Sequence, residues 1–136
     1  MAERSIRSYR DLVAWQRAIQ LAEACYAVTA QLPSDERFGL AQQIRRAVVA
    51  IAANIAEGHN GRTRHVFLNH LAIALGSQAE LETELELAAR LWKVDVAAAQ
   101  ALASEVGRLL HGLRRSLEPP SSPTRLALPG VPPVTQ

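Results

Sequence analysis

The amino-acid sequence predicts an all-α protein. It reads as an up-down-up-down four-helix bundle over residues 9–118, with a short polar arm before it (1–8) and a disordered, proline-rich tail after it (119–136). Three observations predict this. Hydrophobic residues are 49% of the 136 but aromatics only 4%, a mixture rich in Ala and Leu that suits packed helices better than a sheet. Apolar residues recur at spacings of three and four in four successive stretches. Six of the seven prolines lie from Pro119 onward, where they deny the chain a helical ladder and little apolar side chain is available to bury. The length fits one domain.

The elements follow in order. Ser8, with Asp11 three residues on, reads as a helix start. The first helix is expected from about Tyr9 to Gln31. Its stripe is Leu12, Trp15, Ile19, Ala22, Tyr26 and Thr29, with Trp15 and Tyr26 as core anchors. Leu32-Pro33-Ser34 turns the chain, and Ser34 is placed to cap the second helix. Asp35 and Glu36 suit its positive end, and Gly39 delays regular helix to about Leu40. The second helix is expected to stop at Gly58 in the left-handed conformation, ahead of the turn His59-Asn60-Gly61. Glu57 then falls in the last turn, where the helix dipole disfavours an anion by roughly 0.3–1 kcal/mol. Arg62, Arg64 or the next helix's N-terminus are the groups expected to offset it.

The third helix runs from about Thr63 to Leu91. Phe67, Leu71, Ala74, Leu81, Leu85 and Ala88 form its core face, widened by Leu68 and Leu75, and Gly76 is expected to admit a neighbouring helix backbone. Glu80, Glu82, Glu84 and Glu86 read as a solvated surface. Trp92-Lys93-Val94 links to the fourth helix, with Asp95 as N-cap. Val96, Ala99, Leu102, Val106, Leu109, Leu113 and Leu117 make its stripe, which ends near Glu118.

The stretch Gln42–Gly58 of the second helix carries the main functional signal. Leu40, Ile44, Ala47, Val48, Ile51 and Ile55 share one face. At about 100° per residue Val49 points away from Ile51, and Ala53 and Ala56 lie close to Val49. No residue from Ala47 to Ala53 is polar, so the helix is apolar all round for two turns. Such a helix is buried all round. Four helices cannot cover both of its sides, and another subunit can. The expected interface residues are Val49, Ala53 and Ala56, with Asn54 and Glu57 at their edge. The plainer reading is that alanines tolerate water and Val49 alone is exposed. Gln43 and Asn54 lie on the flank of the core stripe, placed to bond across a helix interface or to sit at its wet margin.

Gln43-Ile44-Arg45-Arg46-Ala47, followed by Asn54-Ile55-Ala56-Glu57-Gly58, resembles the signature of the bacterial 23S rRNA-intervening sequence proteins. Asp11-Leu12-Val13-Ala14-Trp15-Gln16, Leu32-Pro33, Gly76-Ser77 and Glu80-Leu81-Glu82 support the resemblance, which covers about Tyr9 to Leu91 and extends weakly to Leu117. Ala50, where the family usually has serine, and Ala52, where proline is frequent, depart from it. The resemblance implies an up-down four-helix bundle that assembles as a homopentamer. A similar bundle, the accessory variability protein of diversity-generating retroelements, implies nucleic acid as a partner class.

Chemistry-bearing patterns are few. There is no Glu-x-x-His for a di-iron site, no zinc spacing with a single cysteine, and no glycine-rich phosphate loop. His59, His65, His70 and His111 are scattered and read as surface or loop residues. The expectation is a non-enzymatic protein without cofactor, metal or small-molecule substrate. Cys25 cannot form an intramolecular disulfide, and no signal peptide is evident, which fits a reducing cytoplasm. No apolar run approaches a membrane span. The formal charge of +2 permits nucleic-acid binding without predicting it. Two roles therefore stand: an oligomeric interaction or scaffold protein built on the Val49 face, and a nucleic-acid-binding accessory protein using Arg45, Arg46, Arg62 and Arg64 with His65. The competing role for Arg45 or Arg46 is pairing with Glu57 or the third-helix glutamates across subunits.

Overall fold

The computed structural model describes residues 5–119. The expected disordered tail, apart from Pro119, and the first four residues of the arm lie outside this range. Four helices are present: α1 (Val13–Thr29), α2 (Leu40–Asn60), α3 (Arg64–Trp92) and α4 (Ala97–Leu117). Among the described residues there is no strand.

Each helix packs against its two neighbours in the order α1–α2–α3–α4–α1, and α2 and α3 share the most extensive contact. Side-chain pairs fix the directions. Gly58 meets Phe67 and His70, whereas Gln43 shares a groove with Glu84, so α2 and α3 are antiparallel. Gln78 bonds Ala103 while Glu82 bonds Gln100, so α3 and α4 are antiparallel. Arg17 meets Glu105 while Leu12 lies beside Leu113, which sets α4 against α1 in the same way. The up-down-up-down bundle follows.

The core of α2 is as the spacing predicts: Leu40, Ile44, Ala47, Val48, Ile51 and Ile55 are all buried. On α1 the buried face is Ala14, Ala18, Leu21, Cys25 and Val28. This face is rotated from the predicted stripe, and of that stripe Leu12 and Thr29 alone are buried. Tyr26 is 43% exposed and is no core anchor. Trp15 packs partly against the core, edge-on to Tyr9 with Arg10 over its ring. Aliphatic and small side chains take the inner face, and the bulky rings of Trp15 and Tyr26 stand at the rim.

Caps differ in detail from expectation. Ser8 and Asp11 form the predicted capping box, but on a 3-10 turn (Tyr9–Asp11) that precedes α1. Ser34 opens a separate 3-10 turn (Ser34–Glu36) and does not cap α2. Glu36 serves the start of α2 instead: its Oε1 accepts from the Leu40 N–H at 3.2 Å. Its Oε2 accepts from Trp92 Nε1 at 3.1 Å, which ties this turn to the end of α3. Lys93 closes α3 in the left-handed region, with φ of 58°. The Asp95 carboxylate accepts from the Ala97 N–H at 3.0 Å, although Val96 is the N-cap residue.

Gly58 does not end α2. It is buried within the helix, which continues to Asn60. A Cβ there would stand 2.7 Å from His70 Cβ and 3.0 Å from Phe67 Cδ1. Glycine is needed for the close approach of α3. Gly76, expected to admit a helix, faces open space: a Cβ there would meet nothing within 4 Å. The two glycines therefore predict opposite outcomes in chemical denaturation. Gly58→Ala should destabilise the bundle by about 1–3 kcal/mol through overpacking. Gly76→Ala should stabilise it by up to about 1 kcal/mol through helix propensity. A loss at Gly76 would place another subunit against that face.

Candidate assembly interface

The outer side of α2 carries an open apolar concavity of about 490 Å³. Tyr26, Phe38 and Val49 supply its large apolar side chains, and Arg37, Arg45 and Arg46 rim it. Val49 is 49% exposed and Phe38 82%, the highest among the exposed large hydrophobic residues. Phe38 sits on the turn pinned by Glu36. Arg37 lies over its ring at 5.4 Å, and Arg45 lies over Tyr26 at 4.6 Å. Arg45 Nε also donates to Thr29 Oγ1 at 2.9 Å. Val49 is the member of the predicted set that enters this concavity. Ala53 and Ala56 are half-buried further along α2. Sequence reasoning missed Phe38, which no periodic stripe includes, and placed Tyr26 inside.

Asn54 and Glu57 are engaged within the chain. Asn54 donates to the Ala50 carbonyl at 2.9 Å, and its Oδ1 lies 2.9 Å from His70 Nδ1. Asn54 thus bonds across the α2–α3 interface. Glu57 Oε2 is 3.8 Å from the same His70 nitrogen. The group beside this last-turn carboxylate is therefore His70 and neither Arg62 nor Arg64. The histidines also divide differently from expectation. His59 and His70 are half-buried, and the His59 ring stands edge-on to Phe67 with its Nδ1 buried and unbonded among the described residues.

The four arginines do not converge. Arg45 and Arg46 lie near one end of α2, whereas Arg62 and Arg64 flank the turn at its other end. The fourteen residues from Arg46 to the helix end at Asn60 correspond to about 21 Å of helix rise. Arg46, Arg62 and Arg64 are exposed and have no ion-pair partner among the described residues; His65 meets Asn69 at 3.4 Å. Among the described residues no three or more His, Cys, Asp or Glu side chains gather as a metal site, and no helix is long and apolar enough to cross a membrane.

Next to the apolar concavity, and sharing Arg46 and Ala50 with it, lies a groove of about 380 Å³. Gln43, Arg46, Ala47 and Ala50 line it from α2, and Ser77, Glu80 and Glu84 line it from α3. Glu84 is the chemically unusual residue. The glutamate run reads from sequence as solvated, yet Glu84 is 8% exposed and its Oε1 has no hydrogen-bond partner among the described residues. Burial, aided by the charge of Glu80 one turn away, pushes its carboxyl up to about 7. Cys25 of α1 is pushed up to about 12, by burial first and by the Glu84 charge second, so it is a neutral core side chain and no nucleophile.

A bundle of four helices with an exposed apolar face on α2 defines the class: an all-α helical bundle protein. The chain belongs to the 23S rRNA-intervening sequence protein family, whose model matches residues 10–114. Among solved structures it is similar to a protein of unknown function from the S23 ribosomal protein family of Bacteroides thetaiotaomicron. The identity is 26%, the match covers 76% of this chain and 96% of that one, and the TM-score is 0.69. No curated protein matches the chain.

Burial of Glu84 gives the stability of the fold a defined pH dependence. The folded form holds the Glu84 proton up to about pH 7, whereas a glutamate with the ordinary value of 4.5 has lost it well below that. Between these values the folded chain binds more protons than the unfolded one, so stability falls as pH rises from about 4.5 to about 7. Melting temperatures of the single chain should be higher at pH 5 than at pH 8, and Glu84→Gln should reduce the difference.

Proposed function

We propose that the protein is a non-enzymatic, homo-oligomeric interaction module in which the outer face of α2 is covered by a second copy of the chain. The observation that carries this reading is the concavity with its exposed Phe38, Val49 and Tyr26. Aromatic residues and arginine together on an open apolar surface have the composition of an interface core. A surface rich in exposed apolar groups is a liability on a monomer unless something covers it. The subunit number of five comes from the family resemblance. A cytoplasmic setting fits the lone buried cysteine. Scaffolding is the role such an assembly performs without chemistry of its own.

Light scattering after size exclusion tests this reading. The wild type should elute as an oligomer at micromolar concentration, and a clean monomer would sink the proposal. Val49→Glu should dissociate it while leaving helicity intact, because it sets an unpaired charge in the interface.

A second reading is favoured by one observation: Arg62 and Arg64 are exposed without ion-pair partners among the described residues. Repeated by symmetry, they would form a basic ring able to bind RNA or DNA phosphates weakly, with avidity adding the contacts. Replacing both with alanine should then leave the oligomer whole, weaken binding across all sequences and flatten its salt dependence. Absence of wild-type binding to structured RNA at low salt ends this reading.

A further inference from the structure

We propose that the α2–α3 groove is a guanidinium-binding site completed by a second copy of the chain: Glu84 and Glu80 receive Arg37, which enters with Phe38 beside it. The inference rests on the homo-oligomeric reading above and names the contact within it.

The glutamates of the groove have no ion-pair partner among the described residues, although Arg46 also lines it. Glu84 and Glu80 are four residues apart on one helix, a spacing at which like charges repel. Glu84 is buried with one oxygen unbonded, and a buried charge without a partner is costly. A guanidinium answers both defects. It has five donors in a planar fork and no acceptor to satisfy, so one group can bridge two carboxylates. Ala47 and Ala50 line the groove with small apolar side chains on which an arginine stem can lie, and Gln43 and Ser77 add polar lining. The chain's own Arg46 stands at the rim, exposed, and bonds neither glutamate.

Arg37 is the cation best presented to a partner. Arg45 is held by Thr29 and Tyr26. Arg37 lies over the highly exposed Phe38 and has no ion-pair partner among the described residues. The adjacent carboxylate, Glu36, is occupied by Trp92 and the Leu40 N–H. Those two bonds also fix the turn that carries Arg37 and Phe38, which lowers the ordering cost of docking. The basic, apolar concavity and the acidic groove adjoin along α2, where both include Arg46 and Ala50, but Arg37 and Phe38 belong to the first alone and Glu80 and Glu84 to the second alone. A two-fold contact sets a patch against itself, whereas a head-to-tail contact joins two different patches and closes as a ring. Charge complementarity here favours the second kind.

The test is a double-mutant cycle on the dissociation constant, measured by analytical ultracentrifugation with circular dichroism as a check on folding. Arg37→Ala and Glu84→Gln should each weaken assembly at least about 30-fold, and the double variant only a few-fold more than either single. The dissociated Glu84→Gln chain should meanwhile melt higher than wild type at pH 8, opposite in sign to its effect on assembly. A merely structural glutamate would lower both. If Glu84→Gln fails to fold, Glu80→Gln, on an exposed residue, should weaken assembly in the same cycle. Assembly should also be weaker at pH 6 than at pH 8 in wild type and level in Glu84→Gln. The charged or titratable groups facing Glu84 are Glu80 on α3, Arg46 on α2 and Cys25 on α1, while α4 meets α3 on another side through Gln78 and Gln100. A wild-type oligomer unaffected by Glu84→Gln, or additive effects of the two changes, overturns this inference and leaves the homo-oligomeric reading standing. A wild-type monomer overturns both.

Discussion

Gly58 lets α3 lie directly on the backbone of α2, with His70 and Phe67 where a side chain would otherwise stand. The rest of the molecule's outer surface depends on this close approach. Ala47 and Ala50 line the seam between the two helices with small side chains. A helix pair this tight draws the residues at its margin partly out of water. Glu84 is the result on one flank, a carboxyl that the pair buries without supplying a donor. Next to it, α1 and α2 leave Val49 and Tyr26 facing outward beneath Phe38.

The charge distribution follows the same geometry. Positive groups gather around the apolar concavity, and negative groups stand along α3. Some of the latter are neutralised locally: Glu86 pairs with Arg90 at 2.6 Å on its own helix. Such exposed pairs add little to stability. Glu80 and Glu84 have no such partner among the described residues. Adjoining unsatisfied surfaces of opposite sign on one small bundle are what a repeating contact between copies uses. The arginines at the α2–α3 turn stand apart from this system, which is why nucleic-acid binding is a distinct proposal with a distinct test.

Much of the fold was legible in the sequence because helical periodicity is a strong signal. Four apolar stripes gave four helices, and the outward position of Val49, opposite Ile51 on α2, was visible in the spacing. The errors have physical causes. Large aromatics drew the predicted α1 stripe toward Trp15 and Tyr26, whereas the buried face is Ala14, Ala18, Leu21, Cys25 and Val28. Gly58 resembled a helix stop because glycine serves both caps and close contacts, and only the position of α3 separates the two uses. Glu84 sat in an alternating acidic run that reads as solvated. Its burial depends on where α2 crosses, a tertiary fact without a local signature. Phe38 was overlooked because an isolated aromatic in a turn belongs to no stripe.

The central claim is that a second copy covers the outer face of α2. Hydroxyl-radical footprinting of Phe38 at two protein concentrations tests it most directly, because this ring is 82% exposed in the single chain and stands at the centre of the expected contact. The account predicts strong protection of Phe38 at micromolar concentration, lost on dilution, while Leu91, exposed at the end of α3, is labelled equally at both. Equal labelling of Phe38 at the two concentrations, at the level of a free side chain, would contradict it.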